Sequence, residues 1–334
     1  MLKHWLTPVS TSATDHSFFN LTFSESNSEE VALDNIDCAL IGYNAVLCNQ
    51  IRSYLSVFHN HFKNIRIADL GNCRKTEADF ILPVIDELIN TGVVPILVGA
   101  DVNMVSVLGK KTRKSIKVIA NNIPNELGNS NGSLSYIGYQ RHLVAYEVIS
   151  TLEEKCNHAL SLGKLRSHTN LLEPLMRDTA LAYIHMNAVR SSDAPGVCTS
   201  YPSGLTTEEL CQIMKFAGTS DSLKIVAIDT ETLNSNHTTD SKLIAEAIWY
   251  LFEGMNARIT DHPEKTNDYH EFLVSLPEID ADISFVKSAL SNKWWMKLPD
   301  QSTSEIMYIA CSYEEYQQSI SGTEIPDRLM KFLL

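Results

Sequence analysis

The sequence contains no long apolar run. No stretch reaches the roughly 18 uninterrupted apolar residues of a membrane-spanning helix. The first residues, MLKHWLTPVSTSATDHSFF, also lack the continuous apolar core of a signal peptide. We therefore expect a soluble, cytoplasmic protein that does not bind membranes.

Basic residues are scarce. The 334-residue chain has 27 Lys+Arg against 40 Asp+Glu, a formal net charge of −13. Because phosphate recognition needs clustered Lys and Arg, this balance argues against a dedicated DNA- or RNA-binding surface. The excess of acids is compatible with a metal centre built from carboxylates, if those carboxylates lie at suitable positions.

Several catalytic and metal-binding motifs are missing as well. The seven cysteines include no C-x-x-C pair, which argues against a zinc ribbon or a thioredoxin-type redox site. The sequence has no P-loop, no dinucleotide-binding glycine motif after a strand and no G-x-S-x-G turn. Nucleotide binding and serine-hydrolase chemistry are therefore not indicated.

What the sequence does contain is an alternation of short apolar runs with longer helical patterns. Because the apolar runs are apolar on both faces, they are typical of a parallel sheet covered by helices on both sides. The predicted strands are Cys38–Tyr43, Ile65–Asp69, Val94–Val98, Ile116–Asn121, Leu181–Asn187, Ile225–Thr230 and Ile306–Cys311. In such sheets ligands bind beyond the carboxyl ends of the strands.

Three helices carry signals at their ends. Each has an apolar stripe at helical spacing and is followed by a glycine suited to a C-terminal cap. The second also begins with Thr-Thr-Glu-Glu, which is typical of a helix start. The predicted helices are Lys75–Thr91 before Gly92, Thr206–Phe216 before Gly218 and Ser241–Glu253 before Gly254.

Four segments carry motifs of one enzyme family: VPILVGADVN (94–103), Ile137-Gly138-Tyr139-Gln140, YIHMNAVRSSDAPGVCTSYPSGLT (183–206) and IAEAIWYLFEG (244–254). Together they resemble the ureohydrolase superfamily of arginase, agmatinase and formimidoylglutamase. WWMKLP (294–299) resembles the formimidoylglutamase-like branch. The resemblance covers about residues 35–255. It implies a three-layer α/β/α domain with a mostly parallel sheet of about eight strands, a single domain over 1–334 that residues 256–334 complete.

The resemblance also implies a pair of manganese ions that activate a bridging hydroxide, yet each ligand position is changed here. Val102 replaces the first His, and Ala120–Asn125 replaces an Asp-Ala-His-x-Asp cluster in either of two registers. His185-Met186-Asn187 replaces Asp-x-Asp, and Ala227 falls at the position of an acid that holds the substrate. Because neutral side chains cannot offset the charge of two divalent ions, we expect no manganese and no other cofactor.

The polar residues that remain have more than one interpretation. Asp101 is expected to cap the following helix rather than act in catalysis. His185 and Asp229 are weak catalytic candidates, with a hydrogen-bonded pocket histidine and a helix-capping acid as the simpler interpretations. The asparagines either form an uncharged binding pocket or are altered ligands that no longer matter; they are Asn121, Asn122, Asn125 and Asn187.

Three functional hypotheses follow. The first is a catalytically inactive homologue with a binding, regulatory or assembly role, in which an unknown small molecule, a second copy of the chain or an active relative is the partner. The second is a divergent hydrolase of C–N bonds in linear amidines such as formiminoglutamate, agmatine or arginine. The third is a subunit that contributes only an oligomer surface. In each case the acids belong on helix surfaces, as at Glu208-Glu209 and Glu314-Glu315.

Overall fold

The computed structural model describes residues 4–9, 18–23, 33–112, 115–124, 133–154, 159–230, 233–234, 237–276, 281–299 and 306–321. Its strands are β1 (Leu6–Thr7), β2 (Leu21–Thr22), β3 (Cys38–Gly42), β4 (Ile67–Cys73), β5 (Val94–Val98), β6 (Ile116–Ile119), β7 (Leu134–Tyr139), β8 (Ala159–Ser161), β9 (Leu181–His185), β10 (Ile225–Asp229), β11 (Tyr269–Leu276), β12 (Ala281–Ser288), β13 (Trp294–Pro299) and β14 (Ile306–Cys311). Its α-helices are α1 (Ala45–Leu55), α2 (Ala78–Asn90), α3 (Val102–Thr112), α4 (Tyr146–Glu154), α5 (Leu162–Ser167), α6 (Leu172–Met176), α7 (Thr207–Thr219), α8 (Thr238–Asn256) and α9 (Tyr313–Ser321).

Ten of these strands form one mostly parallel sheet, in the order β1-β4-β3-β5-β10-β9-β6-β7-β8, with β2 paired to β4. Only the short β1 pairs antiparallel to its neighbour. The predicted α/β class and six of the seven predicted strands are confirmed here. The Ser and Gly that interrupt the apolar residues of β7, and the three-residue length of β8, explain why these two strands were not predicted.

An apolar cluster covers each face of this sheet. Successive residues of β5 alternate between the clusters: Ile96 and Val98 lie in one, and Leu97 lies in the other. The first cluster takes side chains from α1, α5, α6, α7 and α8, and the second takes them from α2, α3 and α4. The predicted three-layer arrangement is therefore confirmed. None of the helices that the structure describes is long and apolar enough to cross a membrane.

The C-terminal part of the chain forms a second sheet. Strands β11 to β14 are antiparallel and pair in sequence order. The prediction of a strand at Ile306–Cys311 is confirmed, but assigning it to the parallel sheet is wrong, because a strand's own pattern specifies its two faces and not its neighbours. WWMKLP forms β13, and its Trp294 ring stacks on Tyr316 with 4.2 Å between centroids. That 1–334 is a single domain stays a prediction.

Two of the three predicted helix ends are wrong. Gly92 follows α2 with a φ of +83°, as a C-terminal cap requires. Gly218 and Gly254, in contrast, lie inside α7 and α8. A Cβ on Gly254 would lie 2.0 Å from the carbonyl oxygen of Lys215, and one on Gly218 would lie 2.2 Å from that of Leu251. These glycines let the two helix backbones touch.

A buried ion pair joins α1 to β4. The Nε of Arg52 donates to both carboxylate oxygens of Asp69, at 3.0 and 2.8 Å. The remaining guanidinium nitrogens donate to Asn49, Asn72 and the carbonyl of Gly71. Both charged side chains are almost fully buried, at 7% and 4% exposed. The network fixes the helix against the carboxyl end of β4.

Candidate functional site

The carboxyl ends of β9 and β10 place two candidate residues side by side. His185 and Asp229 are register partners in the last positions of these parallel strands. Asp229 is buried and accepts a 2.6 Å hydrogen bond from the hydroxyl of Tyr183, and its Oδ2 lies 3.9 Å from the Nε2 of His185. The expectation that Asp229 caps the next helix is therefore wrong, since that helix begins at Thr238.

The hydrogen bonding of His185 limits its chemistry. Its Nδ1 accepts a 3.1 Å hydrogen bond from the backbone N–H of Asn187, the first turn of a 3₁₀ segment over Met186–Ala188. A neutral ring that accepts at Nδ1 carries its hydrogen on Nε2. The ring then has a donor on the Asp229 side, and its lone pair is already used. This arrangement favours the prediction of a hydrogen-bonded pocket histidine over a general base.

The side chains of two of the candidate asparagines form hydrogen bonds with nearby backbone groups. The Oδ1 of Asn187 accepts a 3.1 Å hydrogen bond from the backbone N–H of Asn121, and the Nδ2 of Asn121 donates to the carbonyl of Thr199. Both asparagines are buried, whereas Asn122 is exposed. Asn125 lies outside the described residues. The uncharged cluster is therefore smaller than the sequence suggests, and its amides serve to connect strand ends.

Val102 and Ala227, the two apolar residues predicted at the site, lie at different depths in the fold. Val102 is the first residue of α3 and packs partly buried against the apolar cluster on the second face of the sheet. Ala227 lies inside β10, two residues before its end, and is fully buried in the same cluster. Ala227 is thus not part of a pocket, because a mid-strand position does not reach the sheet edge. Asp229 occupies the strand end instead.

Asp101 caps α3, as predicted. Its Oδ1 accepts a 2.9 Å hydrogen bond from the backbone N–H of Met104, and its Oδ2 accepts one from the side chain of Asn103. A carboxylate in this position satisfies a free N–H of the first helical turn and interacts favourably with the helix dipole. Its two oxygens are therefore both committed to the local helix start.

A loop over residues 189–206 lies across the carboxyl ends of the parallel strands. It is fixed by hydrogen bonds and by close backbone packing. The Gln140 side chain donates to the carbonyl of Ser203 at 2.8 Å and accepts from the Ser203 hydroxyl at 2.7 Å. Gly204 lets the chain pass so closely that a Cβ would lie 2.5 Å from the backbone nitrogen of Arg190. The Ala-Pro-Gly and Gly-Leu-Thr motifs thus form a fixed cover next to Asn121 and Asn187.

Two residues near the site were not predicted. Tyr183 could have been found, because it lies two positions before His185 on the same face of β9. Asp240, in the first turn of α8, is fully buried, and its carboxylate lies against the backbone of Gly196. Burial raises the pKa of this carboxyl. A Cβ on Gly196 would lie 2.0 Å from the Oδ2 of Asp240. The two residues are far apart in the sequence, so the sequence alone does not indicate this close approach.

The donors at these positions do not fit a pair of manganese ions. Val102 has no lone pair, and the oxygen of Asn187 and the Nδ1 of His185 already accept backbone hydrogen bonds. Mn²⁺ favours carboxylates and imidazoles, and a pair needs an anion between the ions. In the part of the chain that the structure describes, no three His, Cys, Asp or Glu side chains are grouped to hold a metal. Whether the protein takes up manganese stays a prediction.

Comparison with solved structures identifies the architecture. Formiminoglutamase from Trypanosoma cruzi, described with Mn²⁺₂, superposes with a TM-score of 0.59 at 13% identity over 69% of this chain and 96% of that chain. Formimidoylglutamase from Bacillus subtilis gives 0.56 at 16% identity over 68% and 90%. Arginase from Bacillus cereus gives 0.51 at 11% identity over 65% and 98%.

These relatives are similar in fold across nearly their whole length, while about three tenths of this chain lies outside the match. No protein-family model matches the chain, and no curated protein matches it in sequence. Identities this low establish the arrangement of the elements and not the chemistry. The resemblance indicated by the motifs is therefore confirmed for the fold: this chain adopts the arginase-like fold.

Proposed function

We propose that this chain is a member of the ureohydrolase superfamily that has lost the dimanganese centre and acts by binding, in regulation or in assembly with a second copy or an active relative. One observation carries the proposal. The side chains at the ligand positions are uncharged or apolar, and two of them, those of Asn187 and His185, accept hydrogen bonds from the backbone N–H groups of Asn121 and Asn187. These hydrogen bonds connect the strand ends directly, which supports a site that needs no metal.

Energetics supports this proposal. Losing a single outer partner of a metal ligand typically weakens metal affinity by about 10–100-fold. Here the inner ligands themselves are replaced, and binding a metal at Asn187 or His185 would also break hydrogen bonds to buried backbone groups. An unmade buried hydrogen bond costs about 1–3 kcal/mol. Both terms act against a metal at these strand ends.

Manganese binding tests the proposal directly. After incubation with manganese and dialysis, we expect elemental analysis to find far less than one manganese ion per chain. The formiminoglutamase from Trypanosoma cruzi, whose structure is described with Mn²⁺₂, carried through the same dialysis provides the positive control. Retention of two manganese ions per chain at micromolar affinity would overturn the proposal.

A second candidate function is hydrolysis of a C–N bond in a linear amidine. It is favoured by the proximity of Tyr183, His185 and Asp229, whose side chains meet at one point of the sheet edge. Asp229 could accept hydrogen bonds from an amidinium group, which is cationic and planar. In this function the His185 Nε2–H would bind an acceptor on the substrate, because its Nδ1 is occupied.

Turnover assays decide between the two functions. With formiminoglutamate, agmatine and arginine as substrates and manganese supplied, the first function predicts no release of formamide, ammonia or urea. Hydrolysis at this site predicts release that falls at least about 100-fold in His185→Ala. His168→Ala, which changes an exposed histidine elsewhere, is the matched control and should leave such release unchanged. Activity that survives His185→Ala would exclude this site as its source.

A further inference from the structure

Strand β11 is an open edge of the second sheet. It lies at one end of the strand order β11-β12-β13-β14, and among the described residues no strand pairs with its other side. The opposite edge strand, β14, packs against α6. The end strands of the parallel sheet, β1 and β8, have only two and three residues, whereas β11 has eight. In the described part of the chain, β11 is therefore the longest strand with an unpaired side.

This edge lacks the features that usually prevent strand edges from pairing. Its sequence, YHEFLVSL, contains no proline and no lysine. Its pairs with β12 follow one another without a bulge. Natural edge strands are commonly protected by prolines, lysines, bulges or a covering element, and an exposed, regular, apolar edge is a site at which another strand can pair. The edge of β11 meets that description.

A hydrogen bond at the start of β11 shows which backbone groups point outward. The carbonyl of Asp268 accepts from the backbone N–H of Ala289 at 2.9 Å, so residue 268 directs its carbonyl toward the β12 side. In a regular antiparallel ladder, alternate residues direct both backbone groups to the same neighbour. The even-numbered residues of β11 therefore bind β12, and Glu271, Leu273 and Ser275 direct their N–H and C=O groups away from the sheet.

Apolar side chains lie on both faces of the strand at this edge. Leu273 is 68% exposed and Phe272, which points to the other face, is 36% exposed. The Phe272 ring contacts Tyr316 of α9, with 5.7 Å between the centroids. Helix α9 follows β14 in the chain and packs against β11, so it crosses one face of the sheet. A strand added at the edge would cover Leu273 on one face and Phe272 on the other.

The side chains of β11 match those of a second copy of β11. Two copies related by a twofold axis perpendicular to the sheet pair antiparallel, and an axis at Leu273 places outward backbone groups opposite one another. Leu273 then faces the partner's Leu273, Phe272 faces the partner's Val274, and Glu271 faces the partner's Ser275. With the axis at Phe272 instead, the two Glu271 carboxylates would be diagonal neighbours and would repel each other. The pattern of charge therefore favours the axis at Leu273.

Such a pair is closed. The β11 edges of both chains are used in it, and the β14 edge of each chain already lies against α6. A twofold contact that uses the same surface on both copies ends at two chains and does not extend into a filament. The four-stranded sheet of one chain would continue into that of the other.

We propose that β11 pairs antiparallel with β11 of a second copy of this chain, about a twofold axis at Leu273. This inference rests on the assembly role within the proposed function and identifies the surface that serves it. The two can fail separately. A monomeric chain that takes up no manganese would refute the strand pairing and leave the loss of the metal centre standing.

Sedimentation velocity of the full chain over a range of concentrations tests the pairing. We expect the mass to rise from one chain to two, because one pair of strands buries less surface than a standard protein interface and separates on dilution. Leu273→Lys places two like charges opposite each other at the axis and should raise the dissociation constant at least about tenfold. Val57→Lys makes the same change at a position that is 71% exposed and lies after α1, and it should leave the dissociation constant unchanged.

Two results of this experiment would overturn the proposal: a chain that stays monomeric at every concentration, or a dimer that Leu273→Lys does not weaken. Circular dichroism checks that both lysine variants fold. Because Leu273 and Val57 are exposed, neither change creates a buried charge.

Oxidative crosslinking with diamide tests the register. Opposite Cα atoms at the axis would lie about 5.5 Å apart, within the span of a disulfide. The two copies of residue 271 would lie about 14 Å apart, beyond that span. Leu273→Cys should therefore form a covalent dimer, and Glu271→Cys should not exceed the background of the unaltered chain, whose Cys198 is exposed. Equal crosslinking of the two variants would overturn the pairing about Leu273.

Discussion

Replacing Arg52 by methionine is expected to lower the free energy of unfolding by about 3–5 kcal/mol. The substitution keeps much of the apolar stem but leaves the Asp69 carboxylate, which is 4% exposed, without its cation. It also removes the donors to Asn49, Asn72 and the carbonyl of Gly71. Urea unfolding followed by circular dichroism measures the loss.

Arg166→Met is the matched control for this experiment. Arg166 also binds a carboxylate with two nitrogens, that of Glu209, but its side chain is 45% exposed. Exposed pairs contribute up to about 1 kcal/mol, so the control should lose much less. In the double variant Arg52→Met with Asp69→Leu, part of the stability should return, because the unpaired buried charge is gone. Equal losses for Arg52→Met and Arg166→Met would contradict this account.

Gly254→Ala is expected to lower the free energy of unfolding by at least about 2 kcal/mol. The new methyl group would lie 2.0 Å from the carbonyl oxygen of Lys215, and a backbone atom cannot turn aside as a side chain can. Helices α7 and α8 would have to separate, which loosens the layer that covers β9 and β10. Thermal and urea unfolding both measure the effect.

Gly163→Ala is the matched control and is expected to raise the free energy of unfolding. Gly163 is an exposed helical residue of α5, and a Cβ there would meet no atom within 4 Å. Alanine restricts the unfolded chain more than glycine, so this variant should gain about 0.4–1 kcal/mol. If Gly163→Ala and Gly254→Ala had the same effect, the close contact of α7 with α8 would not be the cause.

Local signals in the sequence were sufficient for much of the parallel sheet. The Thr-Thr-Glu-Glu start of α7 forms a complete capping box, in which the Thr206 hydroxyl accepts from the N–H of Glu209 and the Glu209 carboxylate accepts from the N–H of Thr206. Strand β5 begins and ends at the predicted residues. These features depend on neighbours in the chain, which a sequence displays directly.

Features that depend on distant partners were not predictable in the same way. A glycine after an amphipathic run favours a helix end, yet Gly218 and Gly254 serve a contact between two helices. The same limit explains why the sequence pattern of Ile306–Cys311 predicts a strand but does not place it in the antiparallel sheet. At the candidate site, the sequence predicted His185, Asn187 and Asn121, but it could not show that their lone pairs and amides are directed at one another.

The loop over residues 189–206 also has a kinetic consequence. The His185 side chain is 15% exposed and Asp229 is 1% exposed, beside a loop whose C-terminal end hydrogen-bonds to Ala188 and to Gln140. A molecule that contacts Asp229 therefore requires a local opening of this part of the structure. Association with Asp229 would then be slower than unhindered docking, and its rate would level off with ligand concentration at the rate of that opening.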